Sequence, residues 1–123
     1  MQRKIIFLSE TYEGKVHDKK IADEEPLQFE KETELLQDSG FIGHQPKNAK
    51  VKQPYKNSKL NKLTEAQKNE NKLQARKRVR IEHAICGVKR LRIVKDIFRN
   101  HREGMIDLSI QVACGLHNLR LAA

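Results

Sequence analysis

Apolar positions fall into three patterns along the chain. Ile5, Ile6, Phe7 and Leu8 form an unbroken run near the start, which predicts a short buried strand over 4–9. Glu13-Gly14-Lys15 follows as a turn signal. Residues 17–25 predict a short helix stopped by Pro26. Leu35 and Leu36 mark a second short strand over 34–37, broken at Asp38-Ser39-Gly40. The stretch 45–55 holds Pro46, Pro54 and Val51 and reads as loop with a weak strand. Residues 56–63, rich in Lys and Asn, are expected to form a mobile loop.

The pattern becomes helical at Thr64. Thr64-Glu65-Ala66-Gln67 fits a capping box, with Thr64 as N-cap and Gln67 reaching back. Leu73, Val79, Ile81, Ile85, Val88 and Leu91 recur mostly at helical spacing. They predict one long helix to about Val94, with Gly87 a tolerated weak point. Ile106, Ile110, Val112, Ala113, Leu116 and Leu119 predict a second helix from about Gly104 to Leu121. No internal repeat is visible.

Composition narrows the picture. The chain's 123 residues allow at most one domain of ordinary size. Apolar residues are 37% against 33% charged, so any core is thin. Aromatics are 5% with no Trp, fewer than stacking platforms for single-stranded nucleic acid need. No apolar run approaches the roughly 18–20 residues of a transmembrane helix. No signal-peptide core follows the first charges. Cys86 and Cys114 form no paired motif, which excludes a disulfide framework and points to reducing cytoplasm.

Charge changes the reading most. The formal net charge is +9. Acids outnumber bases up to Asp38, whereas bases dominate from Lys47 onward, and 76–102 is especially basic. A chain this basic attracts polyanions, of which nucleic acid is the commonest. Charge alone also fits a ribosome-associated or membrane-surface protein. The first half, being acidic, is expected to contribute carboxylates rather than a DNA grip.

Two constellations carry candidate chemistry. Asp38 follows a strand and precedes Ser39, Gly40 and Phe41, where a carboxylate leaving the sheet can reach a metal; taken alone it is an ordinary turn Asp. Further on, Arg78, Glu82, Cys86 and Lys89 share one helical stripe at the edge of the apolar one. By itself Arg78–Glu82 is a helix ion pair. The functional alternative is a metal-ligating Glu82 whose basic neighbours hold DNA phosphates.

In combination these boxes resemble the DDE-class transposases of bacterial insertion sequences, over nearly the whole chain. Gly14-Lys15-Val16-His17-Asp18 resembles the segment before the family's second carboxylate. Asp38-Ser39-Gly40-Phe41 resembles the second-carboxylate box. Arg78, three residues, Glu82, six residues, Lys89 matches the glutamate signature, although Ala75 stands where the family usually has Tyr. Leu116-His117-Asn118-Leu119 resembles the closing helix.

The resemblance implies an α/β chain with a partial ribonuclease-H-like fold: an incomplete mixed sheet and a long C-terminal helix pair. It implies DNA strand cleavage and transfer at carboxylates that hold two Mg²⁺ (or Mn²⁺) ions, roughly 3.5–4 Å apart in such sites. Asp38 and Glu82 are then the catalytic, metal-ligating pair, and Arg78, Lys89 and Arg90 contact DNA. Asp18 and His83 support the site from the side. His83 stands about 100° round the helix from Glu82 and suits packing or a phosphate contact.

The family's first catalytic Asp has no counterpart here. Asp18 and Asp23 precede Asp38, but neither has the Asp-Gly-Thr-like strand context. The expectation is therefore residues 1–123 as the C-terminal part of a transposase catalytic domain, inactive alone, with an open core. A decayed element, the downstream frame of a frameshifted gene and a mis-assigned start all fit. Expected partners are transposon-end and target DNA, with an upstream transposase half or further copies of the chain, in bacterial cytoplasm at the nucleoid. A non-catalytic, basic nucleic-acid-binding protein is the alternative.

Overall fold

The computed structural model describes residues 3–25 and 27–123. Its elements, in chain order, are α1 (Asp18–Glu24), β1 (Thr33–Leu36), β2 (Ala49–Lys52), α2 (Glu65–Lys89), α3 (Arg92–Lys95) and α4 (Met105–Ala122), with a 3₁₀ turn at Ser39–Phe41. The chain is mixed α/β, with a two-stranded parallel sheet among the described residues. It divides into two compact units: Tyr12–Ala75, the sheet unit, and Met1–Thr11 with Arg76–Ala123, the helical unit.

In the sheet unit, β1 and β2 pair parallel with Leu35 opposite Val51. Thr33, Leu35, Ala49 and Val51 are half-buried, while Glu34, Lys50 and Lys52 are exposed. That alternation is the period-two signature of a strand with one covered face. Lys50 pairs with Glu32 and Lys52 with Glu34, each at 2.5 Å. The Glu34 bond holds the Lys52 ammonium above its ordinary pKa. A parallel pair needs a crossover of about a dozen residues, and 37–48 supplies it. Gln53 Nε2 ties that crossover down, donating to Gln37 Oε1 at 2.9 Å and to the Phe41 carbonyl at 3.0 Å. Both strands are entered through a residue in the left-handed region, Glu32 (φ 70°) and Asn48 (φ 64°).

His44 is the buried residue of this unit among those described. Its Nδ1 lies 2.6 Å from Asp23 Oδ1 and clips the crossover to α1. Lys19, one turn earlier on α1, reaches the other Asp23 oxygen at 2.5 Å. The Lys19 bond first, then His44, holds the Asp23 carboxyl below its ordinary pKa.

The helical unit begins with a correction. The apolar run over 4–9 is extended but joins no sheet, and Ile6 is 90% exposed. The segment lies along α4, antiparallel to it. Asn118 Oδ1 accepts from the Ile5 N–H at 2.8 Å, and Asn118 Nδ2 donates to the Ile5 carbonyl at 2.7 Å. One amide side chain thus replaces a neighbouring strand. His117 Nε2 bonds the Arg3 carbonyl at 2.9 Å, and Asp107 Oδ1 accepts from the Thr11 N–H at 2.8 Å.

The core of this unit is Val88, Ala113 and Cys114, with Ile5, Leu91, Val94 and Ile110 packed against it. Burial raises the Cys114 thiol pKa. The expected capping box forms: Thr64 N–H donates to Gln67 Oε1 at 3.0 Å, and Gln67 N–H to Thr64 Oγ1 at 3.3 Å. The long helix stops at Lys89 rather than Val94, because Leu91 turns extended before α3 (φ −76°, ψ 109°) and enters the core. Of the apolar α2 stripe, Leu73, Val79, Ile81 and Ile85 are mostly exposed, Val88 is buried as expected, and Ala84 is buried beside it. Gly87 is more than a weak point. A Cβ there would collide with the buried His117 ring and come within 3.1 Å of Arg120. The expected second helix forms as α4. The Pro26 stop lies outside the described residues.

Candidate functional site

Asp38 sits where β1 ends, in extended backbone. Its Oδ1 accepts the Ser39 N–H at 2.6 Å and starts the 3₁₀ turn. The turn closes through the Phe41 N–H donating to the Asp38 carbonyl at 3.1 Å. Asp38 is exposed. Asp18 opens α1 and lies against the same turn: a Cβ on Gly40 would stand 3.1 Å from Asp18 Oδ2. A side chain at 40 would make the Asp18 carboxylate give way by a few tenths of an ångström. The sequence reading named Asp18 and Gly40 separately, and the structure brings them together.

Glu82 belongs to the helical unit, on α2. Arg78 Nη2 lies 3.8 Å from Glu82 Oε1, and both side chains are largely exposed. An exposed pair at that distance contributes at most about 0.5 kcal/mol. Glu82 was expected at the edge of the core, but it stands on the solvent side. His83 is exposed beside it. Lys89 is the last residue of α2, where a cation suits the carbonyl end of the helix. Arg90 follows, exposed, with its N–H on the Cys86 carbonyl at 3.1 Å.

The donors fit a hard cation in type but not in number. Mg²⁺ takes carboxylate oxygen readily, and Asp38 and Glu82 offer that. Within either unit, among the described residues, no group of three or more His, Cys, Asp and Glu could hold a metal ion. The carboxylate–histidine contact that does form, Asp23–His44, escaped sequence reading. Its partners are far apart in sequence and no periodicity links them. The basic surface is better developed. Lys68, Lys72, Arg76 and Arg80 recur every fourth residue along α2, all exposed.

Among the described residues no helix is long and apolar enough to cross a membrane. No curated protein and no solved structure matches the chain. The family model described as DDE superfamily endonuclease matches residues 1–118. The match spans nearly the whole chain, which therefore belongs to the DDE superfamily of endonucleases.

Proposed function

We propose that this chain is the carboxyl-side part of a DDE transposase catalytic domain, a nuclease by family that binds DNA without cutting it on its own. The family match over residues 1–118 carries the reading. Asp38 and Glu82 are the second and third carboxylates of a ribonuclease-H-like site and bind Mg²⁺ or Mn²⁺. Arg78, Lys89 and Arg90 hold the DNA backbone, and Asp18 and His83 support their neighbours. Asp18 is suited to this by its place against Gly40. These 123 residues offer two of the family's three carboxylates, and for that reason strand cleavage needs a further carboxylate from outside them. Transposon-end and target DNA are the substrates, in cytoplasm at the nucleoid.

One observation favours a second reading, a non-catalytic DNA-binding module. Glu82 already has Arg78 for a partner in an ordinary helix pair. A single experiment weighs both readings. The chain is incubated with supercoiled and linear duplex DNA and Mn²⁺, and binding is followed against salt. Retained binding whose logarithm falls with log salt, by about 0.9 per phosphate contact, with no nicking, is the expected result. Nicking abolished by Asp38→Ala would overturn inactivity alone, and absence of binding would overturn both readings.

A further inference from the structure

The helix α4 carries apolar residues on two opposite sides. At about 100° per residue, Ile110, Ala113, Cys114 and His117 share the side turned to the core. The opposite side presents Met105, Leu108, Val112, Gly115, Leu119 and Ala122, spaced alternately by three and four. That spacing is a coiled-coil seam. Leu108, Val112 and Leu119 are 50%, 52% and 66% exposed, and nothing lies within 4 Å of a Cβ placed on Gly115. The helix has two charged residues, Asp107 and Arg120, and both lie off the seam.

We propose that this seam is where two copies of the chain pair, α4 against α4, antiparallel about a two-fold axis. With the axis level with the middle of the helix, between 113 and 114, the side chains match in size. Leu108 meets Leu119 of the partner subunit, Val112 meets Gly115 of the partner subunit, and Met105 meets Ala122 of the partner subunit. Val112 and Met105 face small residues on either side of the Leu108–Leu119 layer, as interdigitated layers require. A parallel pair would set Gly115 against itself and leave a gap in the seam.

Charge selects the same direction. The extended segment runs along one flank of α4, with Ile5 held by Asn118 and Thr11 held by Asp107. Its basic end, Arg3 and Lys4, borders an open cavity of about 730 Å³ whose other walls include Gly115 and Leu119. Its acidic end carries Glu10, next in sequence to Thr11, whose N–H donates to Asp107. A two-fold axis sets like flanks together and opposite ends against each other. Each basic end therefore meets an acidic end, and the Leu108–Val112 stretch of one copy enters the cavity of the other. Two equivalent patches of this kind are self-complementary, as an isologous dimer demands.

The test is sedimentation equilibrium of the whole chain carrying Cys86→Ser, with two sets of variants. A dimer is expected. Leu119→Glu should raise its dissociation constant roughly ten-fold or more, with unchanged far-ultraviolet circular dichroism. Under mild oxidation, Leu108→Cys with Leu119→Cys should give covalent dimers, and Leu108→Cys alone should not. A monomer at all concentrations overturns the proposal and leaves the seam to a different polypeptide. Covalent dimers from Leu108→Cys alone overturn the antiparallel arrangement. Should Leu119→Glu unfold the chain, the cysteine pair decides: no covalent dimer from the double variant also overturns the proposal.

Discussion

The two units solve one problem with the same device in different surroundings. In the helical unit, Asn118 on α4 bonds both the N–H and the carbonyl of Ile5. In the sheet unit, Asn71 on α2 bonds both the N–H and the carbonyl of Tyr55, at 2.9 and 3.0 Å. Each amide stands in for a strand neighbour beside an extended segment. The first pair is partly buried and frames an apolar core; the second is exposed. Every buried apolar side chain among the described residues, namely Ala84, Val88, Ala113 and Cys114, lies in the helical unit. The sheet unit buries His44 instead and relies on ion pairs and amide bonds. Identical bonds should therefore differ in worth, because the cost of leaving a polar group unpaired rises as water is excluded.

The largest effect is expected at the helix contact. Gly87→Val drives a branched side chain into the His117 ring. It should destabilise the helical unit by about 3 kcal/mol, the upper range for overpacking, read as a lower melting temperature. Next in size, Asn118→Ala leaves both Ile5 backbone groups without their partner and should cost about 1–3 kcal/mol. Asn71→Ala, the matched change in the sheet unit, should cost about 0.5 kcal/mol, since water replaces the amide there. Equal losses in the two variants would break the comparison.

A smaller effect follows pH. Asp23 has a lowered pKa, caused first by Lys19 and then by His44. A depressed carboxyl stabilises the fold above its unfolded pKa of about 3.9 and ceases to do so as pH falls through the folded value. Wild type should therefore exceed Asp23→Asn in melting temperature above about pH 5, and the gap should close below pH 4. A constant gap from neutral to acid pH would show that the clip works through shape alone. The smallest change is expected on DNA: Arg78→Ala should lower the salt slope of binding by about one phosphate contact.

Much of the fold could be read locally. Thr64 and Gln67 announce the start of α2 because both halves of a capping box lie within four residues. The strand marked by Leu35 and Leu36 and the weak strand within 45–55 were both legible, and they prove to pair with each other. Long-range partners were not legible. The 4–9 run looks like a strand by composition, yet its partner is one side chain more than a hundred residues away. Gly87 looked like a helix defect because His117 lies on another helix. Asp38 follows β1 and Glu82 lies on α2, the local placement that the pattern predicts. The contact between Asp18 and Gly40 was not, since the two belong to different elements.

The proposed function makes Asp38 and Glu82 metal-binding carboxylates. Thermal unfolding of the chain with increasing Mg²⁺ or Mn²⁺, alongside Asp38→Ala and Glu82→Ala, tests it directly. A ligand that binds only the folded state raises the melting temperature as its concentration passes the dissociation constant. The account predicts a metal-dependent rise that either substitution abolishes. A melting temperature indifferent to metal, or a rise that survives both substitutions, would contradict it and leave DNA binding as the chain's activity.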